Sequence, residues 1–153
     1  TQPEDRLDEV DAEYINRSPS SFVDGVPILK PPYAHLVALD LNRGDIAWKV
    51  PFGDAPGLRA LPALKGVALP HRLGAVGPPG AIVTKSGLVF GGGNDMALNA
   101  FDARDGRELW RYALPRQATA TPMTYQAADG RQMVVIATGR GEDTALVAFA
   151  LPR

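Results

Sequence analysis

The chain has 153 residues, and its 16 Lys plus Arg against 17 Asp plus Glu give a formal net charge of -1. This balance excludes a strongly basic nucleic-acid surface, so we expect no nucleic-acid partner. Cysteine is absent, which excludes disulfides and cysteine-ligated metal centres. The 16 Gly and 14 Pro predict many short elements joined by turns rather than long helices.

The first segment, residues 1–32, is predicted to be irregular, with room for one short helix. That helix would run from Pro3 to Asn16, because Leu7 and Tyr14 fall on one face and acidic residues fill its N-terminal side. No apolar run approaches the ~20 residues of a membrane span. Since the chain begins with Thr1, we interpret it as a processed chain or a piece of a longer protein.

From Leu36 onward, short apolar runs alternate with turn signals such as Asp105-Gly106 and Asp129-Gly130. This pattern predicts an all-β region over residues 33–153, with an insertion of no clear period at about 53–79. At this length an ordered insertion is usually functional or a cap. The predicted strands are Leu36 to Leu41, Ile46 to Val50, Ala81 to Lys85, Leu88 to Gly91, Ala97 to Ala103, Glu108 to Ala113, Thr121 to Gln126, Gln132 to Thr138 and Leu146 to Leu151.

An internal repeat is the most informative feature of the sequence. The segments Ala38 to Trp48 and Ala100 to Trp110 share the pattern A-x-D-x-x-x-G-x-x-x-W and lie 62 positions apart. The Asp and Gly fit a hairpin turn, in which Gly takes a positive φ. A hairpin cannot bury such a Trp ring alone, so the pattern predicts stacked copies in which both tryptophans are structural.

A third, shortened copy ends the chain. Leu146 to Leu151 aligns with Leu98 to Ala103 at a spacing of 48 residues, but the chain stops before a Gly or Trp. A four-stranded unit of this length fits a blade of a β-propeller, and propellers usually have 4–8 blades. The sequence therefore predicts a partial β-propeller of two to three antiparallel blades, with a sheet edge left without its partner.

These repeats resemble the tryptophan-docking repeats of quinoprotein dehydrogenases, eight-bladed propellers that bind pyrroloquinoline quinone (PQQ). Further segments extend the likeness over about Val23 to Pro152. Ala120 to Tyr125 is similar to the family's A-T-P-M-T-Y, and Val147 to Pro152 to the V-A-Y-A-L-P that ends membrane-bound quinoprotein glucose dehydrogenases. The chain thus resembles the C-terminal part of such an enzyme.

The resemblance implies a function for the parent protein. It would oxidise an alcohol or an aldose sugar such as glucose in the periplasm, with PQQ as electron acceptor, calcium as Lewis acid on the quinone and a further quinone as the next acceptor. The parent would be free or anchored to the inner membrane. Most cofactor and calcium ligands would lie upstream, so we expect this chain to be inactive alone.

One family site can be carried over to this sequence. An Asp that precedes the strand L-R-A-Y/F-D lies at the quinone pocket in the family, and Asp95 holds that position here, with Asn94 beside it as a weaker candidate. A carboxylate beside a glycine run also serves as a plain turn residue. His35 and His71 have no companion ligands at metal-binding spacing, so we predict no metal site and name no catalytic residue.

The sequence leaves two other interpretations open, one of function and one of assembly. Propellers with the same Trp repeat serve as non-catalytic scaffolds or binding modules in outer-membrane assembly, without a cofactor. Alternatively, several copies of the chain close a ring or pair their open edges. A polar, convergent pocket around Asp95 and the insertion would favour the enzyme, whereas an apolar or featureless one would favour the scaffold.

Overall fold

A computed structural model describes residues 22–75 and 80–151 of the chain, and the helix predicted over Pro3 to Asn16 lies outside them. The described residues form short strands and very little helix. None of their helices is long and apolar enough to cross a membrane. The elements are β1 (Phe22–Val23), β2 (Val26–Pro27), β3 (His35–Asp40), β4 (Asp45–Pro51), α1 (Pro56–Arg59), β5 (Gly80–Val83), β6 (Leu88–Gly92), β7 (Ala97–Asp102), β8 (Glu108–Ala113), β9 (Met123–Gln126), β10 (Gln132–Thr138) and β11 (Ala145–Ala150), with 3-10 turns at Pro62–Leu64 and Gly141–Asp143.

The strands form small antiparallel sheets in chain order. β3 pairs with β4, β5 to β8 form a four-stranded meander, and β9 to β11 form a three-stranded one. All nine predicted strands are confirmed, with ends shifted by at most two residues. The small β1–β2 hairpin and the helical turns of the insertion were not predicted, because they carry no apolar period.

The two repeats have matching geometry. The register shifts at equivalent places, between Ala38 and Leu39 and between Ala100 and Phe101, and each alanine faces the tryptophan of its own repeat. The small Ala side chain leaves room for the ring on the pleated surface. The repeat is therefore a bulged hairpin that occurs twice.

Both repeats also share their turn. Gly44 and Gly106 have φ values of 72° and 73°, which favour glycine. Each Gly N–H donates to the carbonyl of the repeat's Asp, over 2.7 Å to Asp40 and 2.9 Å to Asp102. The side chains of both Asp residues accept a further backbone N–H within the turn, as the sequence predicted for a turn-forming Asp.

Two apolar clusters lie between successive sheets. Central strand β7 is buried along its whole length because it contributes to both clusters. The first cluster joins the β3–β4 sheet to the four-stranded sheet, and the second joins the four-stranded to the three-stranded sheet. Their members are Phe52, Val89 and Phe101 with Leu36 and Val50, and Leu98, Leu114, Ala118 and Ile136 with Val134, Val147 and Phe149. The sheets thus pack face to face, as propeller blades do.

The tryptophan of the first repeat docks on the second repeat. Trp48 Nε1 donates to the Ala103 carbonyl at 2.9 Å, and a Cβ on Gly106 would approach the Trp48 ring to 2.5 Å. This confirms its predicted structural role. Trp110 instead is 39% exposed; it meets Phe149 in a T-shaped arrangement and stacks on Tyr112.

Candidate functional site

A cavity of about 610 Å³ opens beside the turn between β6 and β7. One wall is that turn, with Asn94, Asp95 and Met96. The opposite wall comes from the insertion that follows β4, chiefly apolar residues of and around α1. The predicted site residues and the predicted insertion therefore meet at one cavity, which combines an apolar wall with a small polar one, as ligand sites commonly do.

Asp95 is the most deeply buried charged group on this cavity, with 2% of its side chain exposed. Its Oδ2 accepts Arg111 Nη2 at 3.2 Å and the Asp54 backbone N–H at 3.0 Å. Its Oδ1 is buried and has no hydrogen-bond partner among the described residues. A buried carboxylate oxygen without a partner is costly, and such groups are rare in folded proteins.

Asn94 shapes the turn that presents Asp95. Its φ of 58° places it in the left-handed region, which Asn tolerates better than most residues. The Asn94 carbonyl accepts Gln117 Nε2 at 2.7 Å, and the Asp95 carbonyl accepts the Ala118 N–H at 2.8 Å. Residues 117–118 thereby tie the turn to the segment that leads into the three-stranded sheet.

Arg111 connects Asp95 to the central strand. Its Nη1 donates to Asn99 Oδ1 at 3.1 Å while its Nη2 donates to Asp95. Asn99 and Arg111 face each other across β7 and β8. The charge of Asp95 is therefore balanced by a cation that a buried amide holds in place.

The insertion is tied to the blades at both of its ends. The Ala75 N–H donates to the Phe52 carbonyl at 3.0 Å, and the Leu73 N–H donates to Asp54 Oδ1 at 3.0 Å. Gly53 has a φ of 73° and packs so closely on the Gly93 backbone that a side chain would collide there. These contacts fix the cavity wall against the Asp95 turn.

Asp54 is held ionised at the base of the insertion. Partial burial opposes ionisation of the Asp54 carboxyl, but hydrogen bonds from the N–H groups of Leu73 and Ala55 and from Arg59 outweigh it. The pKa of that carboxyl therefore lies below its ordinary value. The pair of Arg59 and Asp54 then persists through the neutral pH range.

The described residues fit the quinone cofactor that the resemblance implies, but not a calcium site. Asp95 Oδ1 is a free acceptor for an N–H or O–H donor, and the apolar wall suits a flat ring system. Within residues 22–75 and 80–151, no group of three or more His, Asp or Glu could hold a metal ion.

Three residues of this site were not predicted from the sequence: Asp54, Arg59 and Arg111. Arg111 carried a usable signal, because the predicted β7–β8 hairpin places it opposite Asn99 on the strand that starts beside Asp95. Asp54 and Arg59 carried none, since the insertion lacks a period from which its path could be deduced.

Comparisons with known proteins identify the family of this chain. The sequence matches the family described as "PQQ: Glucose/ethanol/alcohol dehydrogenase, beta-propeller domain" over residues 2–134. It is 31% identical over 146 residues to a quinate/shikimate dehydrogenase (quinone) from Acinetobacter baylyi, which covers 91% of this chain and 18% of that protein. It is 33% identical over 138 residues to quinoprotein glucose dehydrogenase A from Acinetobacter calcoaceticus, covering 84% of this chain and 16% of that protein.

A solved structure agrees with the fold. The structure of a quinohemoprotein alcohol dehydrogenase from Pseudomonas putida matches with a TM-score of 0.51 and 27% identity, covering 70% of this chain and 12% of that one. The chain thus spans less than a fifth of the length of these relatives. The fold is a partial β-propeller, as predicted, and the chain belongs to the PQQ β-propeller domain family of glucose, ethanol and alcohol dehydrogenases.

Proposed function

We propose that this chain is the C-terminal arc of a quinoprotein dehydrogenase that oxidises an alcohol or an aldose sugar, such as glucose. The arc would comprise residues 33–153, with the insertion at 53–79 as a cavity wall and residues 1–32 as an irregular lead-in. The whole protein would work in the periplasm, free or anchored to the inner membrane, and pass electrons on to a further quinone. Family membership supports the reaction class.

We propose further that Asp95, assisted by Asn94, binds PQQ. When bound, PQQ supplies a two-electron acceptor for the conversion of a CH–OH group to a carbonyl. The single observation that carries this proposal is the buried, unpartnered Oδ1 of Asp95, a residue that lines the cavity. Asp95 would accept a hydrogen bond there, while Arg111 and the Asp54 N–H keep its other oxygen occupied. The apolar insertion would exclude water from the same side.

The test is Asp95→Asn in the whole protein, followed by titration with PQQ. Losing a charged acceptor should weaken PQQ binding about 10- to 100-fold, as expected for a hydrogen bond to a charged group. The matched control is Asp105→Asn, because Asp105 is an exposed aspartate in the turn after β7 and should leave PQQ binding unchanged. Equal PQQ affinity of Asp95→Asn and the parent protein would refute the role of Asp95.

We propose that the isolated chain is inactive, because a cofactor site shared by many blades cannot assemble from one arc. The chain with PQQ and calcium should then give no dye-linked oxidation of glucose or alcohols, while the whole protein does. Activity of the isolated chain would contradict this. If the whole protein neither takes up PQQ nor oxidises any such substrate, the alternative stands: a non-catalytic scaffold or binding module of the outer-membrane assembly type.

The partners of the arc are the rest of the propeller or further copies of the chain. Two partly uncovered positions support this. Trp110 is 39% exposed, and a Cβ on Gly44 would meet no atom within 4 Å in the described residues. The Trp48 ring, which packs on Gly106 of the next repeat, shows the kind of contact that Trp110 and Gly44 could make with neighbouring blades. Sedimentation of the isolated chain decides between the two: a clean monomer leaves only the rest of the propeller.

A further inference from the structure

Two donors from different parts of the chain hold the Asp95 carboxylate, and both donate to the same oxygen, Oδ2. Arg111 reaches Oδ2 from strand β8, and the Asp54 backbone N–H reaches it from the insertion. Oδ1 is left without a partner among the described residues. The orientation of the carboxylate, and therefore which oxygen faces the cavity, depends on both donors.

The Asp54 N–H is aimed by the contacts of its own side chain. Asp54 Oδ1 accepts the Leu73 N–H at 3.0 Å and lies 3.3 Å from Arg59 Nη2. Asp54 therefore lies in a bridge between the start and the end of the insertion. If that bridge opens, the N–H that fixes Asp95 moves with it.

Arg59 is the centre of this bridge. Its Nη2 lies 2.7 Å from the Pro70 carbonyl and 2.7 Å from the His71 carbonyl, in addition to its contact with Asp54. One guanidinium thus joins the last residue of α1 to both ends of the insertion. Arg59 does not line the cavity, so it has no contact of its own with a ligand there.

We propose that Arg59 is a positioning residue for cofactor binding: by fixing Asp54, it orients the Asp95 carboxylate so that Oδ1 faces the ligand. This inference rests on the proposed role of Asp95 in PQQ binding. It assigns to the insertion a function beyond covering the cavity, because the insertion sets the orientation of the acceptor. Arg59 Nη2 alone meets one carboxylate and two carbonyls, so a single charged group holds the bridge together.

The experiment is a double-mutant cycle in the whole protein, with PQQ affinity as the readout. Arg59→Gln should weaken PQQ binding about 3- to 10-fold in the parent background, as expected for losing one oriented contact. In an Asp95→Asn background the same change should alter PQQ affinity by less than about two-fold, because the oriented group is already gone. Arg59→Lys keeps the charge and should fall between Arg59→Gln and the parent.

Two controls separate positioning from loss of folding. Amide hydrogen exchange at Asp54 should speed up in Arg59→Gln while exchange in β7 stays slow. Arg107→Gln removes a guanidinium from an exposed turn and should change none of these quantities.

The outcomes distinguish this inference from the proposed function. An equal loss of PQQ affinity from Arg59→Gln in both backgrounds would overturn the positioning role, as would no loss in either. If Asp95→Asn weakens PQQ binding and Arg59→Gln does not, only this inference fails. If Asp95→Asn leaves PQQ affinity unchanged, the proposed cofactor role fails, whatever hydrogen exchange reports for the insertion.

Discussion

The two tryptophan repeats are nearly identical hairpins with very different surroundings. Trp48 donates to the Ala103 carbonyl and covers Gly106 of the next repeat, whereas Trp110 is 39% exposed and contacts Tyr112 and Phe149. The repeat alone therefore does not bury its tryptophan. The fuller cover of Trp48 comes from the copy that follows it, which is why such units are stable in arrays.

The largest effect should come from the glycine under Trp48. Gly106→Ala adds a Cβ that would lie 2.5 Å from the Trp48 ring, on a backbone with positive φ. Strain and overpacking together should lower the free energy of unfolding by about 2–4 kcal/mol, measured by urea denaturation.

Gly44→Ala is the matched control for Gly106→Ala. Gly44 has nearly the same φ, 72° against 73°, but the added Cβ meets no atom within 4 Å. It should therefore show only the backbone cost, about 1 kcal/mol. Equal losses at the two glycines would mean that Trp48 docking contributes nothing to stability.

The tryptophans themselves should give the next largest difference. Trp48→Phe removes the hydrogen bond to the Ala103 carbonyl and part of the ring that covers Gly106, which should cost about 1–3 kcal/mol of unfolding free energy. Trp110→Phe loses only edge and face contacts with two rings and should cost less than about 1 kcal/mol. Thermal unfolding of both variants checks the order, and the reverse order would contradict the docking assignment.

A smaller effect should appear in how stability depends on pH in the acidic range, and it comes from Asp102 of the second repeat. Hydrogen bonds from the Arg104 side chain and backbone lower the pKa of Asp102 to about 2. A depressed carboxyl pKa adds stability above the unfolded pKa and loses it as pH falls through the folded one. Asp102→Asn should flatten the loss of stability between about pH 4 and pH 2, and only modestly, because Arg104 is exposed to solvent.

The companion variant for the Asp102 prediction is Arg104→Gln, which removes the guanidinium that pairs with the Asp102 carboxylate. It should flatten the same part of the plot of stability against pH. Unfolding midpoints measured at intervals across that range provide the test. An unchanged profile in both variants would show that the pair has no effect on stability.

Much of this fold follows from the sequence alone. Regular strands such as Glu108–Ala113 and Gln132–Thr138 have the predicted bounds, because alternation and turn chemistry are local properties. The resemblance to quinoprotein dehydrogenases predicts that Asp95 lies at a pocket. It does not predict the contacts around Asp95, because Asp54 and Arg59 belong to an insertion whose path is set by long-range hydrogen bonds rather than by a repeating pattern.

An experimental structure of the whole protein with PQQ bound would test the proposed site most directly. We expect the cofactor to occupy the cavity between the β6–β7 turn and the insertion, with Asp95 Oδ1 accepting a hydrogen bond from it. Arg111 and the Asp54 N–H should remain on Oδ2. A cofactor bound elsewhere on the propeller, with the Asp95 carboxylate out of contact, would contradict the proposed site.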